Sequence, residues 1–224
     1  MRYNSIHSFP INDEQKLKLQ KKLQNQICLT PYLHTPNIVA GVDLAYKGER
    51  AVAVIVVMEQ HSKRILEVVY HVDNVAEPYT PGMLAFRELP LILCAWEKVT
   101  IEPDIVFFDG NGLMHPRRMG IATHASFFLE KPTIGVAKTY LLGQYAAVGE
   151  QQGDWERVYD QEEEIGAILR TQTGVKPIFV SVGNQMTLVD ALRLTMAQVG
   201  KVSRIPEVVR QADIWTRKLR KALG

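Results

Sequence analysis

Four residues in this chain combine chemical capability with positions where such side chains need a reason. Asp43 interrupts the apolar run Ile38-Val39-Ala40-Gly41-Val42, and Asp109 ends the run Ile105-Val106-Phe107-Phe108. Glu88 stands just before Pro90 in a Leu- and Ala-rich segment, and Lys138 follows Thr133-Ile134-Gly135-Val136-Ala137. An unpaired buried carboxylate is costly, so acids in core strands take a cation as partner. If the strand of Asp43 lies beside that of Asp109, the two side chains converge. Hard oxygen ligands then suit Mg²⁺, which keeps waters and needs only one or two protein carboxylates. Glu88 would supply a third acid. An ion held this way activates water and neutralises charge on a phosphoryl centre, and Lys138 would help at the phosphate or the attacking water. A salt bridge for Asp43 and a snorkelling surface position for Lys138 would explain either residue alone. The combination points to metal-dependent phosphoryl chemistry.

The stretch from Asp104 to Arg118 is the centre of this pattern. In open α/β sheets ligands sit outside the carboxyl ends of the strands, where Asp109 stands. Gly110 and Gly112 allow close backbone approach or positive φ, and Arg117 and Arg118 could meet phosphate. An ordinary βα turn would use the same residue types, with Asp as cap, Gly for the bend and Arg in solvent.

The elements that must position these residues follow from periodicity. Residues 13–26 read as a polar surface helix, followed by a proline-marked connection over 30–37. Residues 38–46, 51–58 and 65–72 are β-rich runs separated by short turns, which predicts an antiparallel meander. Glu77-Pro78-Tyr79-Thr80-Pro81-Gly82 is a stiff loop. A helix over 83–99 contains Pro90, which predicts a kink there or a short turn before a helix starting at the proline. Strand 105–108, helix 118–129 and strand 133–136 alternate. Residues 143–164 form a polar, acidic excursion, part strand and part loop, before strand 178–182 and helix 187–199. A last helix starts near Pro206, where proline and Glu207 suit a first turn; Val208, Ala212, Trp215, Leu219 and Ala222 form its core stripe. The pattern predicts an α/β domain with a mixed β-sheet, opened by an antiparallel three-stranded meander that feeds a parallel part through helical crossovers and is flanked by helices.

Composition limits the alternatives. The chain has 224 residues, 46% hydrophobic and 22% charged, enough for a packed core in one domain over residues 1–224. Residues 1–30 are expected as a helical extension packed on it. A net charge of +2 is too mild to announce nucleic-acid binding, so any basic surface is local. Cys28 and Cys94 have no metal-ligand spacing, and a reducing, cytoplasmic setting is expected. The first residues lack the apolar core of a signal peptide, and the run 51–58 is too short to span a bilayer.

Six blocks carry a resemblance: Gly41-Val42-Asp43, Pro78-Tyr79-Thr80-Pro81-Gly82, Phe86-Arg87-Glu88, Asp109-Gly110-Asn111-Gly112, His115-Pro116-Arg117-Arg118 and Thr133-Ile134-Gly135-Val136-Ala137-Lys138. In this order and spacing they resemble endonuclease V, the repair nuclease for deaminated purines, from about Val39 to about Asp213. The resemblance implies a ribonuclease H-like fold and Mg²⁺-dependent incision of DNA near hypoxanthine, with Mn²⁺ able to substitute. It implies cutting at the second phosphodiester 3′ of the deoxyinosine, leaving 3′-hydroxyl and 5′-phosphate ends. Asp43 and Asp109 match metal-binding aspartates, Glu88 a third acid and Lys138 an active-site lysine. Asp213 matches a position of His or Asp, and would be another ligand on the metal side or a surface carboxylate paired with Arg210 or Arg217.

Pro78, Tyr79, Thr80 and Pro81 match a wedge motif, and the physics agrees: prolines stiffen the loop and Tyr79 offers a ring to stack where a base has left. Gly82, Leu84, Gly110, Gly112, His115, Ile121 and Leu141 would form the lesion pocket. Where many relatives carry His after Asp-Gly, this chain has Asn111, which hydrogen-bonds but does not titrate. The expected protein is a monomer acting on deoxyinosine-containing DNA. Two alternatives stay open: action on inosine-containing RNA, decided by 2′-hydroxyl contacts, and a non-catalytic lesion-binding module. A sugar-kinase-like phosphotransferase would need a second, duplicated domain that the length does not accommodate.

Overall fold

Strand β1 (Ile38–Lys47) is the ribbon to which everything near the acids is referred. It turns through Gly48, at φ +61°, into β2 (Arg50–Glu59), and β2 turns into β3 (Ile65–Asn74). Both pairings are antiparallel, with Asp43 opposite Val54 and Val54 opposite Tyr70. The expected meander is therefore present. The computed structural model describes residues 1–9, 11–75 and 77–223.

β1 then takes a parallel partner on its other edge. Helix α2 (Leu84–Trp96) crosses over, and β4 (Ile105–Asp109) pairs with β1 so that Val42 lies beside Phe108. After α3 (Ile121–Leu129), β5 (Thr133–Ala137) adds to β4 in parallel. The hairpin β6 (Trp155–Asp160) and β7 (Glu163–Leu169) follows, then β8 (Ile178–Asn184). The eight strands form one sheet in the order β3-β2-β1-β4-β5-β8-β7-β6. Helix α1 (Asp13–Gln24) precedes the sheet, and α4 (Leu188–Gln198) and α5 (Glu207–Ala222) end the fold.

Side-chain alternation divides the core into two faces. Val39, Val52, Val54, Val56, Phe107, Ile134, Val136 and Val180 face α4 and α5, while Ala40, Val42, Ala53, Ile55, Val57, Val106 and Phe108 face α2 and α3. β2 is buried on both faces from Ala51 to Met58, hence its unbroken apolar sequence. Among the described residues, no helix is long and apolar enough to cross a membrane.

The structure settles the direction of the last strand and corrects one helix boundary. β8 is antiparallel to β5. The connection between them, expected as part strand and part loop, holds the β6–β7 hairpin, so the chain returns from the opposite end. Helix α2 runs through Pro90 as one element, so of the two expected arrangements the helix does not restart at the proline. Helix α3 starts at Ile121, later than expected, because Arg118 takes φ +56° and Gly120 occupies the N-cap.

Candidate metal centre and wedge loop

The β1–β4 register decides where the acids meet. Val42 pairs with Phe108, so the next residue on each strand is an aspartate, and alternation turns both toward α5. Helix α5 is seated there by Gly41, where a Cβ would lie 2.3 Å from the Val208 carbonyl oxygen. This close approach brings Asp213, near the helix centre, over the strand ends. Asp43, Asp109 and Asp213 each offer an oxygen, and the three lie within 4.8 Å of one another. Lys138, the residue after β5, projects from the same face; its Nζ is 2.5 Å from Asp109 Oδ2 and 3.9 Å from Asp213 Oδ1. Asp213 also takes Arg217, with Nη2 at 2.8 Å from Oδ2 and Nε at 3.1 Å from Oδ1. Arg210 pairs with Glu207 instead. Asp213 thus lies beside Asp43 and Asp109 and also pairs with Arg217.

The electrostatics match the donor set. Burial, then the negative charge of Asp109, raises the Asp43 pKa to about 6, against the hydrogen bond from Thr216, the Leu44 backbone and the charge of Lys138. Burial disfavours the charged Lys138, but the charge and hydrogen bond of Asp109, with Asp213 and Asp43, outweigh it and raise its pKa. Three crowded carboxylates with one lysine favour a further cation, and three oxygen donors suit a hard divalent ion. The residues present fit Mg²⁺. Asp43 and Asp213 border an open cleft of about 560 Å³ that is also lined by Tyr46, Thr216, Arg217 and Arg220.

Glu88 approaches from the other face. It sits on α2, buried, with Oε1 accepting a 2.7 Å hydrogen bond from the Tyr46 hydroxyl. Burial raises its pKa to about 7; the Tyr46 hydrogen bond pulls down, and the charge of Asp43 pushes up. The third carboxylate gathered with Asp43 and Asp109 is that of Asp213, not Glu88. Glu88 is near enough to feel their charges, and its carboxyl is poised close to neutrality.

The loop of residues 77–82 is anchored at both ends and free at its tip. Glu77 accepts from Lys16 of α1 at 2.7 Å, and its carbonyl accepts from Arg87. The Gly82 carbonyl accepts from Arg117 Nη2 at 2.7 Å, from Gln20 Nε2 at 3.1 Å and from His115 Nε2 at 3.1 Å. Between these anchors Tyr79 is 67% exposed. The role of α1 here went unseen in the sequence, where its polar pattern gave no reason to bury Lys16 and Gln20.

The residues expected around an extruded base divide. Gly82 (φ +75°) and Gly110 (φ +151°) adopt conformations that need glycine, beside Arg117 and Ile121 respectively. Leu84 opens α2 and is partly buried, Ile121 is buried at the start of α3, and Leu141 is half exposed beyond Lys138. Gly112 has another use: a Cβ there would lie 2.1 Å from the Val182 carbonyl oxygen, and its N–H donates to Ser181 Oγ at 2.8 Å. Its missing side chain lets the loop lie on β8. His115 is held by its own bonds, with Nδ1 accepting from the backbone N–H of Arg117 and Met119. Burial, then the charge of Arg117, lowers its pKa to about 4.

The arginines read as phosphate ligands are occupied internally. Arg118 is buried and pairs with Asp160 at 2.9 Å and Glu163 at 2.7 Å, tying the β6–β7 hairpin to the loop after β4. Arg117 serves Gly82 and Gln20. Arg217 and Arg220 of α5, both exposed, line the cleft beside Asp43 and Asp213. Sequence reading also missed Thr216, whose hydroxyl lies 2.7 Å from Asp43 Oδ2.

Comparison with known proteins agrees with this geometry. A family model described as Endonuclease V matches residues 21–214. The endonuclease V of Petrotoga mobilis is 48% identical over 220 residues, covering 98% of this chain and 99% of that relative. The crystal structure of endonuclease V from Bacillus subtilis aligns with a TM-score of 0.95 at 42% identity, covering 99% of this chain and 98% of the other. Endonuclease V of Ciona intestinalis, solved in complex with a 24mer DNA containing an inosine followed by a ribo-adenosine, aligns with a TM-score of 0.81 at 26% identity, covering 95% of this chain and 100% of that one.

Proposed function

This chain belongs to the endonuclease V family, and we propose that it is a Mg²⁺-dependent endonuclease that extrudes hypoxanthine from DNA and cuts the same strand at the second phosphodiester on the 3′ side. The observation that carries this reading is the convergence of Asp43, Asp109 and Asp213 within 4.8 Å of one another, with Lys138 beside them. The Ciona relative's complex with inosine-containing DNA supports the choice of substrate.

Asp43, Asp109 and Asp213 would hold the cation, Mg²⁺ or Mn²⁺. When bound there, it supplies charge neutralisation at the phosphate and a lowered pKa for water. Lys138, beside Asp109, would meet a non-bridging phosphate oxygen. Glu88, with a pKa near 7, orients the attacking water and takes its proton, since a base works best when its pKa is near the working pH. Attack of the water oxygen on phosphorus breaks the bond to the 3′-oxygen, which takes a proton from solvent, leaving a 3′-hydroxyl and a 5′-phosphate. Tyr79 stacks into the space left by the extruded base; unstacking costs a few kcal/mol and less for a mispaired base, which favours hypoxanthine. Gly82 and Gly110 would present backbone to the purine edge.

The test compares nicking of matched duplexes with and without one deoxyinosine, in Mg²⁺ or EDTA, for the wild type and Asp43→Ala. Incision just 3′ of the lesion, dependent on Mg²⁺ and absent in the variant, is expected. Cutting confined to an inosine-containing RNA would move the substrate class. Tight lesion binding in EDTA with no cutting of either would leave a binding module.

A further inference from the structure

Thr216 stands one turn beyond Asp213 on α5 and is 1% exposed. Its Oγ1 lies 2.7 Å from Asp43 Oδ2 and 2.9 Å from the main-chain carbonyl oxygen of Asp213. A hydroxyl carries one proton, so only one of these contacts is donated at a time. Within a helix, threonine ordinarily gives that proton to a carbonyl three or four residues back. Here an ionised carboxylate competes, and charge-assisted bonds are roughly twice as strong as neutral ones. The proton therefore goes to Asp43 whenever Asp43 is ionised.

The consequence is geometric. The Asp43 backbone is held by its pairing with Val54 of β2, and Val42 before it pairs with both β2 and β4, but its carboxylate can still rotate. A hydrogen bond to Oδ2, with the Leu44 backbone beside the same carboxylate, sets that rotation. Because the donor shares a helical turn with Asp213, the same contact ties the two acids to one another across the β1–α5 interface. We infer that Thr216 is a positioning residue for the cation site, fixing the Asp43 carboxylate and its separation from Asp213. The inference rests on the proposed reading of Asp43, Asp109 and Asp213 as a divalent-cation site.

Loss of a group that orients a metal ligand typically weakens binding by about 10- to 100-fold. The test is titration of the protein alone with Mn²⁺, following the free ion by electron paramagnetic resonance, without nucleic acid. Wild type, Asp43→Asn, Thr216→Ser, Thr216→Val and Thr216→Ala are compared, with melting curves to establish folding. Thr216→Ser should bind like the wild type, and Thr216→Val and Thr216→Ala should bind about 10- to 100-fold more weakly. If Thr216→Val fails to fold, the Ser and Ala arms decide. Equal binding by wild type and the variants lacking the hydroxyl, or equal weakness of the Ser variant, overturns the inference while Asp43→Asn still abolishes binding. Wild-type binding that Asp43→Asn leaves unchanged overturns the cation-site reading itself.

Discussion

Gly41 and Val208 meet backbone to backbone: a Cβ at Gly41 would lie 2.3 Å from the Val208 carbonyl oxygen and 2.6 Å from its carbon. Gly41 precedes Asp43 by two residues on β1, and Val208 lies in the first turn of α5, the helix that carries Asp213. The depth at which α5 rests on the sheet, and so the gap between two of the three clustered carboxylates, is set by a missing side chain. Gly41→Ala must lift the helix. Overpacking of this kind costs about 1–3 kcal/mol, and at roughly 2–4 °C per kcal/mol for a chain of this size Tm should fall by several degrees. Incision should fall further than in Ile92→Val, a core change on the opposite face. Calorimetry and single-turnover cleavage at saturating Mg²⁺ would measure both. A folded Gly41→Ala variant with wild-type incision would mean that helix depth does not set the site.

The raised carboxyl groups give the second prediction its sign. Burial and then Asp109 move Asp43 from 3.8 to about 6; burial moves Glu88 from 4.5 to about 7, with the Tyr46 hydrogen bond opposing and Asp43 reinforcing the shift. In each case the folded state binds the proton more tightly than the unfolded chain. Their contribution to stability is therefore greatest at low pH and declines as pH rises through this interval. A cation bound by ionised Asp43 must displace that proton, so its affinity rises over the same interval. Mg²⁺ should raise Tm clearly at about pH 8 and little at about pH 5. Thermal melts with and without Mg²⁺ at the two values decide the matter, and an equal shift at both would refute it.

The sequence exposed the acids because charge breaks apolar runs at Asp43 and Asp109, and the short turns around β2 exposed the meander. What escaped it depended on distant partners. β7 begins in the acidic run Glu162-Glu163-Glu164 and is completed by pairing with β6 and β8, so local composition reads it as loop. The direction of β8 follows from that same hairpin. Arg117 and Arg118 looked free for phosphate because nothing nearby in sequence announces Gln20, Asp160 or Glu163 as their partners. Thr216 gave no signal at all. A threonine beside an apolar stripe is unremarkable until the strand beneath it places a carboxylate within reach.

His115 illustrates how geometry can withdraw a residue from acid–base chemistry. Its Nε2 lies 3.1 Å from the Gly82 carbonyl, so that nitrogen carries the hydrogen, while Nδ1 accepts from the N–H groups of Arg117 at 3.1 Å and Met119 at 3.2 Å. Burial, with Arg117 beside it, brings its pKa to about 4. The ring should remain neutral, with Nε2 protonated, throughout the working pH range, and its ¹⁵N resonances should not titrate there. His115→Ala strands backbone donors at about 1–3 kcal/mol each when buried. It should lower Tm while leaving the limbs of the pH–rate profile in place. A His115 resonance titrating near the ordinary histidine value would contradict the assignment.

Tyr79 tests whether the loop is prepared before substrate arrives. Its neighbours are fixed: Lys16 and Arg87 hold Glu77, and Gln20, His115 and Arg117 converge on the Gly82 carbonyl. The tyrosine itself is 67% exposed, so its removal takes little from the folded state. Stacking of a base on an aromatic ring is worth about 1–3 kcal/mol, or roughly 5- to 150-fold in affinity at about 1.4 kcal/mol per factor of ten. Tyr79→Ala should therefore keep its Tm and lose binding to a deoxyinosine duplex within that range, measured in Ca²⁺ to prevent cutting, with Tyr79→Phe close to wild type. Gln20→Ala should weaken binding less, because it removes one of three donors and leaves the ring. Preorganisation acts by lowering the ordering cost of association, so its loss reduces affinity without removing a contact to DNA. If Tyr79→Ala and Tyr79→Phe bind the lesion equally well, the ring is a loop aromatic with no part in filling the vacated stack, and another group must do so.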